Sequence, residues 1–140
     1  MIEQKDKSFK QTPQRLAILE CLKGNKSHPS AEDIFHKVKK KFPTMSFATV
    51  YNNLEAMKKR GIIHNLTIDS ERMRYDPNTS YHHHIICVDC KKIIDVSVNI
   101  ILHIPEEDKC DFDILGNHIE FYGTCPDCMQ SESRTAKIEV

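Results

Sequence analysis

Apolar residues recur at helical spacing three times in the first half of the chain. Leu16, Leu19 and Leu22, with Ile18 nearby, form the first stripe, and Gly24 stops it. Thr12 ahead of Pro13 supplies an N-cap and a proline at the first helical position, where its missing N–H is harmless. Ile34, Phe35, Val38 and Phe42 make a second face. Ser30 opens it, with Asp33 three residues on as an imperfect capping box, and Pro43 closes it. Val50, Leu54 and Met57 make the third stripe, between Ser46 and Gly61. The period then shortens. Residues 62–67 and 73–75 read as strands around the polar turn Asp69-Ser70-Glu71. Three short helices followed by a hairpin predict a winged helix-turn-helix.

Pro77-Asn78-Thr79-Ser80 is a turn-rich break and the candidate hinge. Beyond it, residues 85–88, 92–96, 111–115 and 118–122 read as strands, with Gly116-Asn117 as a hairpin turn between the last two. Residues 97–102 predict a short helix ending before Pro105, and the tail 131–140 reads as disordered surface. The expected class is α+β: a winged-helix domain over 1–76, a hinge at 77–81 and a small α/β unit over 82–140. A unit of about 60 residues buries little surface and usually needs metal or oligomerisation to hold it.

Charge divides at the same place. The chain is neutral overall, with 20 Lys/Arg and 20 Asp/Glu. Residues 1–76 carry 15 basic against 9 acidic groups, and residues 77–140 carry 5 against 11. A basic half points to nucleic acid. The outward side of the third helix supports this with Thr49, Tyr51, Asn52 and Asn53, since Asn pairs with adenine and Thr or Tyr contacts phosphate or thymine methyl. No apolar run reaches the roughly 18 residues of a bilayer span, and the polar start, residues 1–10, shows no secretory signal. The expectation is a cytoplasmic protein with no membrane part.

The six cysteines of such a chain favour metal or redox chemistry over structural disulfides. Cys87/Cys90 and Cys125/Cys128 form two Cys-x-x-Cys pairs, whose thiolates suit one closed tetrahedral Zn(II) site. A thiol redox switch is the rival use. Cys21 and Cys110 are spare, and Cys21 sits in an apolar helical run as a small core residue. A second set is harder and mixed. His82 and His84 alternate, so on a strand they share a face while His83 points away. Asp95 lies on the next strand, Asp76 just before the hinge and His28 at the entrance to the second helix. Three nitrogens and two oxygens suit Fe(II), Mn(II) or Zn(II).

Several segments together resemble the ferric uptake regulator family, and within it the peroxide-sensing branch. They are Thr12-Pro13-Gln14-Arg15, Ser27-His28-Pro29-Ser30-Ala31-Glu32-Asp33-Ile34, Ala48-Thr49-Val50-Tyr51-Asn52-Asn53-Leu54 and Arg74-Tyr75-Asp76. His82-x-His84-x-x-Cys87-x-x-Cys90, Asp95 and Ile119-Glu120-Phe121-Tyr122-Gly123-Thr124-Cys125-x-x-Cys128 complete the pattern. The resemblance implies a homodimeric repressor that binds a pseudo-palindromic DNA operator, with winged helices on a C-terminal dimerisation domain. It implies structural zinc on the four cysteines and Fe(II) or Mn(II) on His28, Asp76, His82, His84 and Asp95. It adds Arg15 and Ser46 to the DNA-contacting set.

In the branch resembled, peroxide reacts at bound Fe(II) and oxidises a ligand histidine, here His28 or His82, releasing DNA. Asp95 is the branch indicator, since iron-sensing relatives commonly have Glu there. A further ligand site of the iron and zinc sensors looks degraded, with Tyr81, His83 and Leu102 at its positions, although His103 and His118 remain available for an accessory site. A sensor of iron or zinc concentration is the alternative within the family. A metallohydrolase is disfavoured, because no general base or substrate pocket is visible.

Overall fold

The computed structural model describes residues 9–131. Contacts divide the chain between Thr79 and Ser80 into two compact units.

In the first unit, α1 (Pro13–Leu22), α2 (Ala31–Lys41) and α3 (Phe47–Lys59) are each opened by a hydroxyl residue. Thr12 accepts from the Arg15 N–H, Ser30 from the Asp33 N–H and Ser46 from the Thr49 N–H. At α2 the capping box is complete, because Asp33 also accepts from the Ser30 N–H. Gly61 ends α3 at φ 69°, with its N–H on the Lys58 carbonyl and the Ile62 N–H on the Met57 carbonyl. That is a Schellman closure, which wants glycine at its left-handed position. The core gathers Ile18, Leu22, Ile34, Val50, Leu54 and Met57. The α1 stripe differs from the expected one: Ala17, Ile18 and Leu22 are buried, and Leu16 is 47% exposed. Leu16 stands about 200° around the helix from Ile18, so the two cannot face one core.

The hairpin β1 (His64–Leu66) and β2 (Arg74–Asp76) pairs antiparallel, with His64 opposite Asp76 and Leu66 opposite Arg74. It is shorter than the sequence runs predicted. Three helices and this wing make the unit a winged helix-turn-helix, and the chain is α+β.

The second unit is a three-stranded sheet in the order β4-β3-β5. β3 (His83–Cys87) pairs antiparallel with β4 (Ile93–Val96) and parallel with β5 (Glu120–Gly123). Its buried apolar residues among those described are only Ile86, Cys87 and Ile93. Two expectations fail here. Residues 111–115 form no strand, and therefore no hairpin through Gly116-Asn117. Cys110 and Asp111 both take positive φ, 48° and 60°, which breaks the extended path at its start. Residues 97–102 form no helix; Val98, Ile101 and Leu102 are exposed, so nothing rewards an isolated turn. The helix forms instead after Pro105, as α4 (Glu106–Lys109), whose acidic first turn suits a helix N-terminus. A short α5 (Pro126–Met129) was not foreseen. Of the tail, residues 132–140 lie outside the described residues.

Candidate metal centres and DNA-reading helix

Cys87 ends β3, Cys90 lies in the turn that follows, and Cys125 and Cys128 lie at the N-cap and within α5. The turn is tight: the Lys91 N–H donates to the Cys87 carbonyl and Lys91 sits at φ 64°. The four sulfur atoms lie within 4.8 Å of one another, with Cys90 and Cys125 at 3.8 Å. A tetrahedral zinc with bonds of about 2.3 Å spaces its sulfurs by about 3.8 Å, whereas a disulfide needs about 2.05 Å.

Burial alone would raise the Cys87 thiol. The N–H groups of Cys125, Cys90 and Asp89, with the Cys90 thiol, outweigh it and bring Cys87 down to about 6. Its neighbours, Cys125 first, push Cys128 up to about 12. Cys87 therefore favours the thiolate, and Cys128 resists it. A divalent cation removes that conflict, and the residues fit one.

The histidines are arranged for a harder ion. Across the β3 and β4 ladder His84 stands opposite Asp95. Asp95 Oδ1 lies 3.3 Å from His82 Nε2 and 3.3 Å from His84 Nε2. The Ser80 carbonyl, 2.6 Å from His82 Nδ1, can only accept, so Nδ1 carries the proton and donates. In the neutral ring Nε2 then turns its lone pair toward the carboxylate oxygen, a pairing that suits a shared metal ion.

In the first unit His28 Nε2 lies 3.5 Å from Asp76 Oδ2, with the two residues 1% and 2% exposed. Each unit thus pre-forms its own share of the five residues read as a mixed-ligand set. His83 is committed elsewhere: its Nδ1 accepts the Ile119 N–H at 3.0 Å, and its ring meets Tyr81 edge-on. Tyr81 in turn donates to the Asn117 carbonyl at 2.6 Å. Of the three positions read as a degraded accessory site, Tyr81 and His83 are therefore held in a strap, and Leu102 is exposed. His103 is exposed, and His118 is half-exposed and 3.9 Å from Glu120.

On α3, Thr49, Tyr51 and Asn52 are exposed, but two residues of the DNA-reading set do structural work. Ser46 is the helix cap, its hydroxyl also 2.9 Å from that of Thr49. Asn53 spends both ends of its amide internally: Oδ1 accepts from Arg15 Nε at 2.9 Å, and Nδ2 donates to the Thr49 carbonyl at 2.8 Å. Arg15 is half-buried, with Nη1 donating to the Lys10 carbonyl at 2.5 Å and its guanidinium 3.9 Å from the centre of the Phe9 ring. Arg60 lies over the same ring at 4.4 Å.

The sequence model of the ferric uptake regulator family matches residues 6–122. The chain belongs to the ferric uptake regulator family. Members of this family are transcription regulators rather than enzymes. Over 127 residues the chain is 40% identical to the peroxide-responsive repressor PerR of Staphylococcus epidermidis, covering 85% of this chain and 81% of that one. Over 137 residues it is 38% identical to the peroxide operon regulator of Bacillus subtilis, covering 92% and 90%. Among solved structures, the ferric uptake regulator of Francisella tularensis with iron matches with a TM-score of 0.70 at 29% identity, across 90% of this chain and 98% of that one.

Sequence reasoning missed three contributors. The Ser80 carbonyl orients His82, Arg60 lies beside Arg15 over Phe9, and Arg74 bonds the His28 carbonyl. Ser80 and Arg60 carry no motif signal, and Arg74 lies in a matching segment that assigned it no role, because each acts through the backbone or through a contact distant in sequence.

Proposed function

We propose that this chain is a metal-dependent transcriptional repressor that senses hydrogen peroxide and then lets go of its operator. The division of labour is a winged-helix DNA-binding domain over 1–76, a hinge at 77–81 and a dimerisation and metal-binding domain over 82–140. Cys87, Cys90, Cys125 and Cys128 hold structural Zn(II). His28, Asp76, His82, His84 and Asp95 are the ligands of one regulatory Fe(II) or Mn(II), a set of three nitrogens and two oxygens that suits those ions.

The observation that carries the regulatory site is His82, whose Nδ1–H donates to the Ser80 carbonyl so that Nε2 faces the oxygen it shares with His84. Fe(II), when bound, supplies the one-electron chemistry by which peroxide oxidises a neighbouring ring, and His28 and His82 are the targets. Losing one histidine ligand weakens metal binding, and with it the preference for the metal-bound, DNA-binding state.

The DNA-facing residues are Arg15, Thr49, Tyr51 and Asn52, with Ser46 and Asn53 supporting them. A homodimer is the proposed state. Ile101, Phe112, Leu115 and Tyr122 are between 73% and 93% exposed, more apolar surface than a small unit leaves to water. Two recognition helices about 34 Å apart would enter successive major grooves of a pseudo-palindrome. No helix of the described residues is long and apolar enough to cross a membrane, and the proposed place of action is the cytoplasm.

The test is peroxide treatment of the Fe(II) form, followed by mass analysis and operator binding. An added oxygen on the peptides holding His28 or His82, together with lost DNA affinity, is the expected result. DNA release without histidine oxidation overturns the peroxide mechanism.

A further inference from the structure

His28 has φ 52°, in the left-handed region that residues with a Cβ seldom enter. Pro29 follows it, and a residue before proline ordinarily prefers extended backbone. Local sequence therefore opposes the observed conformation, and something outside the segment imposes it.

β2 does so. Arg74 Nη1 donates to the His28 carbonyl at 2.8 Å, and the Tyr75 N–H donates to the Pro29 carbonyl at 2.9 Å. Ser30 forms an antiparallel bridge with Arg74. His28-Pro29-Ser30 is thus stapled along the strand whose last residue is Asp76. Arg74 is itself held, its Nε donating to Asp69 Oδ2 at 3.1 Å, with the two side chains 6% and 0% exposed. Asp69 Oδ1 is fixed by the Glu71 N–H at 3.0 Å.

We infer that Asp69 and Arg74 are positioning residues for the His28 and Asp76 half of the regulatory site. They clamp the His28 backbone in its left-handed turn so that Nε2 faces Asp76, and they set metal affinity without touching the metal. This rests on the reading of His28 and Asp76 as ligands. The arrangement makes one ion pair serve both the tip of the wing, where Asp69 lies, and a metal ligand. A guanidinium is required: its fork reaches the carboxylate and the carbonyl together, and a single ammonium offers no such fork.

The experiment uses the full chain with Mn(II), which avoids oxidation, in wild type, Arg74→Lys, Asp69→Asn and His28→Ala. Affinity is measured by chelator competition, and the melting temperature is recorded with and without Mn(II). Arg74→Lys and Asp69→Asn are expected to weaken Mn(II) binding by about 10- to 100-fold, the scale seen when groups supporting a ligand are lost. The gain in melting temperature on adding Mn(II) should shrink with it. A lower metal-free melting temperature with wild-type Mn(II) affinity overturns the inference, since the pair would then only brace the hairpin. Should Arg74→Lys fail to fold, Asp69→Asn preserves side-chain shape and carries the same comparison. Equal affinity in wild type and His28→Ala overturns the regulatory site itself, and the inference with it.

Discussion

His84 stands opposite Asp95 in the ladder, and the Asp95 oxygen it approaches at 3.3 Å is the same atom that faces His82. One carboxylate oxygen thus serves two imidazoles, and the short side chain fixes where it sits. Asp95→Glu inserts a methylene and displaces that oxygen by about 1.5 Å. The Fe(II) form should then oxidise its histidines about tenfold more slowly, while Mn(II)-dependent operator binding changes far less. Histidine oxidation followed by mass spectrometry, beside DNA binding by anisotropy, checks this; equal loss of both would contradict the role given to Asp95.

The thiol cluster supports a sheet with little apolar burial of its own. Structural zinc in small domains contributes roughly 10–16 kcal/mol of folding free energy. Cys87→Ser removes the most buried ligand, and the second unit is expected to lose zinc, its cooperative melt and its dimer. Metal analysis with sedimentation reads all of these, and a folded, zinc-free dimer would sink the assignment.

Acid should act on the first unit through Asp69. Burial alone would raise its pKa, but the Glu71 N–H and the Arg74 and Arg72 guanidiniums lower it below 3.8. A carboxyl whose folded value is depressed stabilises the fold above its unfolded value, and that contribution disappears as pH falls through the folded one. Asp33 is lowered as well: burial opposes it, and the Ser30 bonds, then the two guanidiniums, prevail. The melting temperature should therefore hold down to about pH 4 and fall below it. Asp69→Asn should start lower at neutral pH and fall less steeply in acid. Circular dichroism melts across pH decide it.

Arg15 and Asn53 predict a division between affinity and base reading. Asn53→Ala should weaken operator and scrambled DNA alike, because its amide holds Arg15 and has no free end for a base. Asn52→Ala should act mainly on the operator, by about 1–3 kcal/mol. Arg60→Gln should lower affinity on any sequence and reduce the salt slope by about 1, the mark of one lost phosphate contact. Anisotropy titrations at several salt concentrations separate these outcomes.

What could be read from the sequence was what short-range chemistry dictates. Ser30 with Asp33, and Ser46 ahead of Val50, Leu54 and Met57, announce helices whose caps and buried faces are observed. The paired cysteines announce a sulfur cluster, and the alternation of His82 and His84 announces a shared face toward Asp95. What failed depends on partners that no local pattern encodes. Phe112 and Ile114 alternate with acidic residues as a strand would, yet nothing in the described residues pairs with them, and the left-handed Cys110 and Asp111 turn the chain aside. Asn53 looks like a base reader until Arg15, far away in sequence, arrives to occupy it. The His28 turn was least accessible, since His-Pro argues for the opposite backbone.

The scant oil beneath the sheet of Ile86 and Ile93 has a consequence for supply. If sulfur-bound zinc substitutes for a proper core, a newly made polypeptide must capture that ion before its C-terminal lobe exists at all. The working number of repressor molecules would then follow the cell's zinc quota at the moment of synthesis, upstream of any response to iron, manganese or oxidant.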